Sequence, residues 1–321
     1  MIPGETMKHL SLMVLAVLFV PLSNAQDIDV RGEARRKVAL TFDDLPEAFS
    51  RDLATMRRNT TELLRTLKLH RAQAIGFVNE GKLHVPGELD ARTEVLKQWV
   101  DAGMTLGNHG FSHLRLLTTP LLKYEDDVIK GEVITRRLMS GRQPYQLYFR
   151  HPYTSTGPTR EVKAAFESFL REHGYKVAPF TIENSDYIFN QIYSEARRNN
   201  DTALMERLRK TYLEYNDGQF EFIERLSSEM FGREISQILL IHANDINADC
   251  LGEMLKRLEA RGYRFVSLDQ ALEDKAYQTK DDYVGLHGPS WLHRWTVSLG
   301  LKMKLDQEPD PPEWVLDMFK K

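Results

Sequence analysis

Hydrophobic positions along the chain fall into short unbroken runs, separated by longer stretches in which they recur every three or four residues. Residues 38–42, 74–78, 104–107, 147–150, 176–180, 238–242 and 264–267 are the short runs, rich in strand-forming side chains. Between them, residues 53–69 place Leu53, Met56, Leu63, Leu64 and Leu67 at largely helical spacing, and residues 94–102, 124–140, 159–173 and 251–260 read the same way. Gly174 and Gly262 follow two of these stretches as stop signals. Seven strands alternating with helices predict a parallel sheet, most simply a closed or nearly closed α/β barrel over residues 36–276; the rival is an open doubly wound sheet.

Two segments break the alternation. Residues 186–233 are too long and too charged for an ordinary connection, with Leu204, Leu208 and Tyr212 spaced for one helix and Ile223, Leu226 and Met230 for another. We expect a helical insertion over 188–233, either a lid over a substrate groove or a helical pair outside the barrel. Residues 277–321 form a C-terminal extension with Trp291, His293 and Trp295 close together. These aromatics can stack on sugar rings or anchor the tail.

Near the start, residues 10–22 are almost wholly apolar, preceded by Lys8 and followed by Ser23-Asn24-Ala25, the pattern of a signal peptide over residues 1–25. Glu5 dilutes the positive start, and initiation at Met7 restores it. The run is short for a bilayer span, so the expectation is an exported protein, periplasmic or secreted, with no stable membrane anchor after cleavage. Cys250 is the sole cysteine, which excludes an internal disulfide and suits a packed thiol. With 43 Lys and Arg against 46 Asp and Glu, the net charge of -3 offers nothing to nucleic acid.

Polar residues able to do chemistry sit where the strand runs end, which is where barrel enzymes keep their sites. Asp43 and Asp44 close the first run before Pro46. Neighbouring strand residues point apart, so both carboxylates reach one pocket only if the backbone turns there. One can then bind a cation while the other takes a proton; the alternative is an acidic turn. His109 and His113 follow the third run, and a helical turn would bring residues four apart together. With Asp44 they make a two-histidine, one-carboxylate set for a metal, although such a pair is also common in purely structural settings.

Arg150, His151, Pro152 and Tyr153 follow the fourth run. Arg150 can hold a carboxylate by a bidentate contact or make a structural salt bridge. Pro152 lacks an amide hydrogen, so the first free backbone donor after it is Tyr153, a candidate for stabilising an oxyanion. His151 reads as a packing residue or a support for the ligands. Glu183 and Asp186 come after the fifth run, and Asp186 can brace Arg150 or a histidine, or cap a helix. His242, ending the sixth run, suits a general acid or a satisfied core histidine.

Taken in order, Thr41-Phe42-Asp43-Asp44, His109-Gly110-Phe111-Ser112-His113, Arg150-His151-Pro152-Tyr153, Glu183-Asn184-Ser185-Asp186-Tyr187 and Leu240-Ile241-His242 resemble the motifs of the polysaccharide deacetylases, the family-four carbohydrate esterases. The resemblance implies a distorted (β/α)7 barrel that removes N- or O-acetyl groups from carbohydrates with a divalent metal ion, zinc first among the choices. It implies Asp43 as catalytic base, Asp44, His109 and His113 as metal ligands, and the Tyr153 amide as oxyanion donor. Arg150 would position Asp43, Asp186 would support the site, and His242 would be the general acid. Ser112 stands two places later than the family's hydroxyl residue, and Glu183 and Tyr187 replace an Asp and a Trp, which bears on substrate preference. The rivals are hydrolysis of another non-peptide carbon–nitrogen bond, of an acetyl ester on xylan, or an inactive carbohydrate-binding barrel.

Overall fold

The computed structural model describes residues 36–49, 52–142 and 145–320; the expected signal peptide at 1–25 lies outside them. Eight strands form one sheet: β1 (Arg36–Leu45), β2 (Ala74–Val78), β3 (Thr105–Asn108), β4 (Leu147–Phe149), β5 (Tyr175–Val177), β6 (Ile182–Glu183), β7 (Gln237–His242) and β8 (Tyr263–Val266). Every pairing is parallel, in the order β5-β4-β3-β2-β1-β7-β6, with β8 added to β1. Val38 and Ala39 pair with both β7 and β8, so β8 takes the first part of the β1 edge that β2 takes from Leu40 onward. This curled sheet is that of a distorted (β/α)7 barrel, and β5 and β6 do not pair with each other among the described residues.

Helices cover the sheet: α1 (Leu53–Leu69), α2 (Leu89–Asp101), α3 (Leu121–Lys130), α4 (Val133–Met139), α5 (Arg160–Glu172), α6 (Asp186–Arg198), α7 (Thr202–Phe231), α8 (Asp245–Ala260), α9 (Leu268–Leu272), α10 (Trp291–Ser298) and α11 (Glu313–Phe319). β1 is buried from Val38 to its end, as a strand covered on both faces must be. Phe42 meets Trp99 of α2 edge-on, with ring centroids 5.2 Å apart. Asp52 caps α1 by accepting from Thr55 N at 2.8 Å, and Met56, Leu63, Leu64 and Leu67 form its buried stripe. Cys250 is buried in α8. Among the described residues no helix is long and apolar enough to cross a membrane.

The elements depart from the sequence reading in three places. The helix expected over 124–140 is two, broken at Gly131, where a Cβ would stand 2.6 Å from Phe111 N and 2.7 Å from the Gly110 carbonyl carbon. The loop after β3 passes against that bare backbone. A two-residue strand, β6, lies beyond the expected fifth run and pairs with β7. In residues 186–233 the helix break falls at 199–201, so Leu204, Tyr212, Ile223 and Met230 all lie on the single 30-residue α7. α7 packs on α6, α8 and α10.

Candidate active site

Asp43 and Asp44 reach one cleft because β1 breaks its own alternation. Asp44 takes φ 70°, in the left-handed region, and the β1–β2 register shifts between Phe42 and Leu45. Such an irregularity re-aims a side chain that regular pleating would turn away. Asp43 pairs directly across the sheet with His242 of β7. An acid and a candidate proton donor thus stand side by side on neighbouring strands.

His109 and His113 converge through a loop rather than the helical turn expected from their spacing. Gly110 and His113 both take positive φ, 73° and 54°. The loop is held by Asp127 of α3, whose carboxylate accepts from Ser112 N at 3.0 and 3.1 Å while its carbonyl accepts from Phe111 N at 3.0 Å. The His109 Nδ1 lies 2.8 Å from the Arg150 carbonyl, which only accepts, so Nδ1 carries the hydrogen. Burial holds His109 well below the ordinary histidine pKa, leaving a lone pair on Nε2.

That lone pair faces Asp44. Asp44 Oδ1 lies 3.7 Å from His109 Nε2 and 3.3 Å from His113 Nε2. Donors bound at about 2.1 Å to one tetrahedral ion stand about 3.4 Å apart, close to these two separations, and all three ligand atoms lie within 4.8 Å of one another. Asp44 Oδ1 is buried and accepts no hydrogen bond among the described residues, which suits a metal ligand. Burial pushes the Asp44 carboxyl up, but Lys82, His113 and His109 outweigh it and keep the group ionised well below the usual carboxylate range. The three residues fit a divalent ion by donor type, protonation and spacing.

Asp43 is in a different state. Burial raises its pKa to about 6, with Arg150 the largest opposing influence. Arg150 is fully buried, and its contact with Asp43 is single, Nη1 to Oδ2 at 3.5 Å, rather than the bidentate pair expected. Its Nη2 goes instead to Thr41 Oγ1 at 3.0 Å and the Pro179 carbonyl at 3.3 Å. The guanidinium also lies over Phe77 at 4.7 Å. His151 is away from the cleft, packed on Phe149 and Phe166 with centroids 5.2 Å from each. Tyr153 lines the cleft in the left-handed region, φ 55°, with its ring 4.5 Å from that of His113. Left-handed backbone at Asp44, His113 and Tyr153 concentrates strain at this one place.

Asp186 braces His242 and leaves Arg150 to others. Its Oδ1 accepts from His242 Nδ1 and its Oδ2 from His242 N, Asn244 Nδ2 and Asn247 Nδ2. Burial works against a charged His242, yet the Asp186 charge and hydrogen bond, with Asp44 and Asp43 behind them, raise its pKa to about 10. Tyr212 of α7 supports this arrangement, donating to Asn247 Oδ1 at 2.6 Å.

The cleft holds about 790 Å³ and exposes the aromatic rings of Phe49, Tyr153 and Tyr187. No residue of 188–233 lines it; the C-terminal tail does, through His287, Gly288, Pro289, Ser290, His293 and Glu308. Trp291 and Trp295 are buried anchors, the former donating from its backbone to the Phe180 carbonyl at 2.9 Å. His293 reaches Ser290 Oγ at 2.6 Å and Glu308 at 3.0 Å. Opposite, Glu183 is raised to about 7 by burial and by Asp186. Sequence reasoning missed Lys82, Asp127 and Glu308; only His293, in its aromatic stretch, carried a signal.

Residues 31–178 match the family described as Polysaccharide deacetylase. No curated protein matches the chain. Among solved structures, peptidoglycan deacetylase PdaC from Bacillus subtilis is 22% identical, with 76% of this chain and 93% of that one covered at a TM-score of 0.48. PdaA from the same organism, a family 4 carbohydrate esterase, is 17% identical over 74% and 81% at 0.47. A CE4 family pseudoenzyme from Bacillus anthracis is 16% identical over 74% and 66% at 0.48. The family match runs from β1 to β5 and takes in Asp43, Asp44, His109, His113, Arg150 and Tyr153. The match covers just under half of the chain, and over those residues the chain is similar to the polysaccharide deacetylase family.

Proposed function

We propose that this protein is an exported, metal-dependent deacetylase that hydrolyses acetamide groups on a carbohydrate. The observation that carries the reading is the donor triangle of Asp44, His109 and His113, set beside an Asp43 and a His242 at paired positions of β1 and β7. A divalent ion held there, zinc by preference for this donor set, supplies an acidified water and a polarised acetyl carbonyl. Asp43, with a pKa near 6, takes the proton of the attacking water at neutral pH, and Arg150 keeps its carboxylate aimed. The Tyr153 N–H donates to the oxygen on which negative charge develops. His242, protonated below about 10 and fixed by Asp186, gives its proton to the departing amine. An amide leaves poorly without that proton. The exposed rings of Phe49, Tyr153 and Tyr187 suit the apolar faces of sugars.

The test is a panel of N-acetylated chito-oligosaccharides, O-acetylated xylo-oligosaccharides and small cyclic amides, assayed for acetate and for ammonia with and without chelator. Chelator-sensitive acetate release from the N-acetyl substrates is the expected result. Ammonia release would move the reaction to another carbon–nitrogen bond, and acetate from xylan alone to an ester. Tight sugar binding with neither product would make this a binding barrel.

A further inference from the structure

Lys82 stands in the turn at Glu80–Leu83 after β2 and lines the cleft beside the donor triangle. Its ammonium donates to two backbone carbonyls, those of Asp44 at 3.1 Å and Glu47 at 3.2 Å. The same nitrogen lies 3.3 Å from Asp44 Oδ1, the oxygen that faces both histidines, without making a hydrogen bond to it. Two of its three hydrogens go to those carbonyls, and toward the Asp44 carboxylate Lys82 acts as a charge.

We propose that Lys82 is a built-in competitor for the metal, a positioning residue that sets how tightly the Asp44, His109 and His113 site holds a divalent cation. The inference rests on the reading of those three residues as ligands. Without a metal, the ammonium balances the buried Asp44 charge and keeps the site compact. With one, two cations share a single carboxylate and repel each other across a few ångströms of partly buried space. A side chain that only secured the turn would give the same carbonyl contacts whether charged or neutral.

Zinc affinity of metal-stripped wild type, Lys82→Gln, Lys82→Met and Lys82→Arg, titrated against a competing chelator after melting curves establish that each is folded, separates these roles. Gln keeps a donor for the carbonyls without the charge, and Arg keeps the charge. We expect the Gln and Met proteins to bind zinc at least about tenfold more tightly than wild type, with Arg within about twofold of it. Thermal stabilisation by zinc should be larger in the neutral variants for the same reason. Wild type that binds zinc with the Gln variant equal or weaker overturns the role of Lys82 and leaves the metal site standing. No zinc bound by any of the four overturns the metal site and this inference together.

Discussion

The Asp186 carboxylate holds His242 at two points, its Oδ1 against the ring Nδ1 and its Oδ2 against the backbone N–H, each at 2.7 Å. The double contact fixes the ring, directs Nε2 to the cleft and raises the pKa of the imidazole to about 10. Asp186→Asn removes the largest influence sustaining the protonated form, and burial, opposed then only by Asp44 and Asp43, lowers the pKa. The alkaline limb of kcat/KM should move to lower pH, with kcat at neutral pH down by about 10²-fold, while zinc affinity stays unchanged. A pH–rate profile beside a zinc titration reads both.

Arg150 works in the opposite direction on Asp43. It opposes the burial that raises Asp43 to about 6, so Arg150→Met should move the acid limb of the profile to higher pH. The variant also leaves a buried carboxylate without its cation, which costs about 3 kcal/mol in chemical denaturation. Arg150→Lys should recover only part of this, because one ammonium cannot serve Asp43, Thr41 and the Pro179 carbonyl in the planar arrangement observed.

Gly288 ties the tail to the loop carrying Tyr153. A Cβ there would stand 1.9 Å from Thr154 Oγ1 and 2.6 Å from the Thr154 and Tyr153 carbonyl oxygens. Backbone oxygens cannot swing aside as a side chain can. Gly288→Ala should lower stability by about 1–3 kcal/mol and, by shifting the Tyr153 amide, reduce kcat more than it raises KM. Thermal melts and steady-state kinetics on one preparation check both.

The site was legible in the sequence to the extent that strand ends reveal it. Asp43, Asp44, His109, Arg150 and His242 each close or follow an apolar run, and the sheet brings those ends to one rim. What the sequence hid lies in contacts between distant segments. Lys82 is one of 43 basic residues, and only the β1–β2 pairing sets it beside Asp44. The bidentate contact expected of Arg150 is lost because Thr41 and the Pro179 carbonyl compete for the same guanidinium. In sequence α7 reads as two helices, since Asn216 and Gln219 interrupt its apolar pattern. Both are buried: Asn216 accepts from Asn184 Nδ2, and Gln219 donates to the Pro309 carbonyl of the tail. Polar residues that satisfy one another inside the protein look like a break in one dimension.

The most direct measurement is anomalous X-ray scattering at the zinc edge from crystals of the metal-loaded protein. A single strong peak about 2.0–2.2 Å from His109 Nε2, His113 Nε2 and the Asp44 carboxylate, absent in Asp44→Asn, is the result this account predicts. Zinc held instead by Glu183, His293 or Glu308, or no peak at saturating zinc, would contradict it.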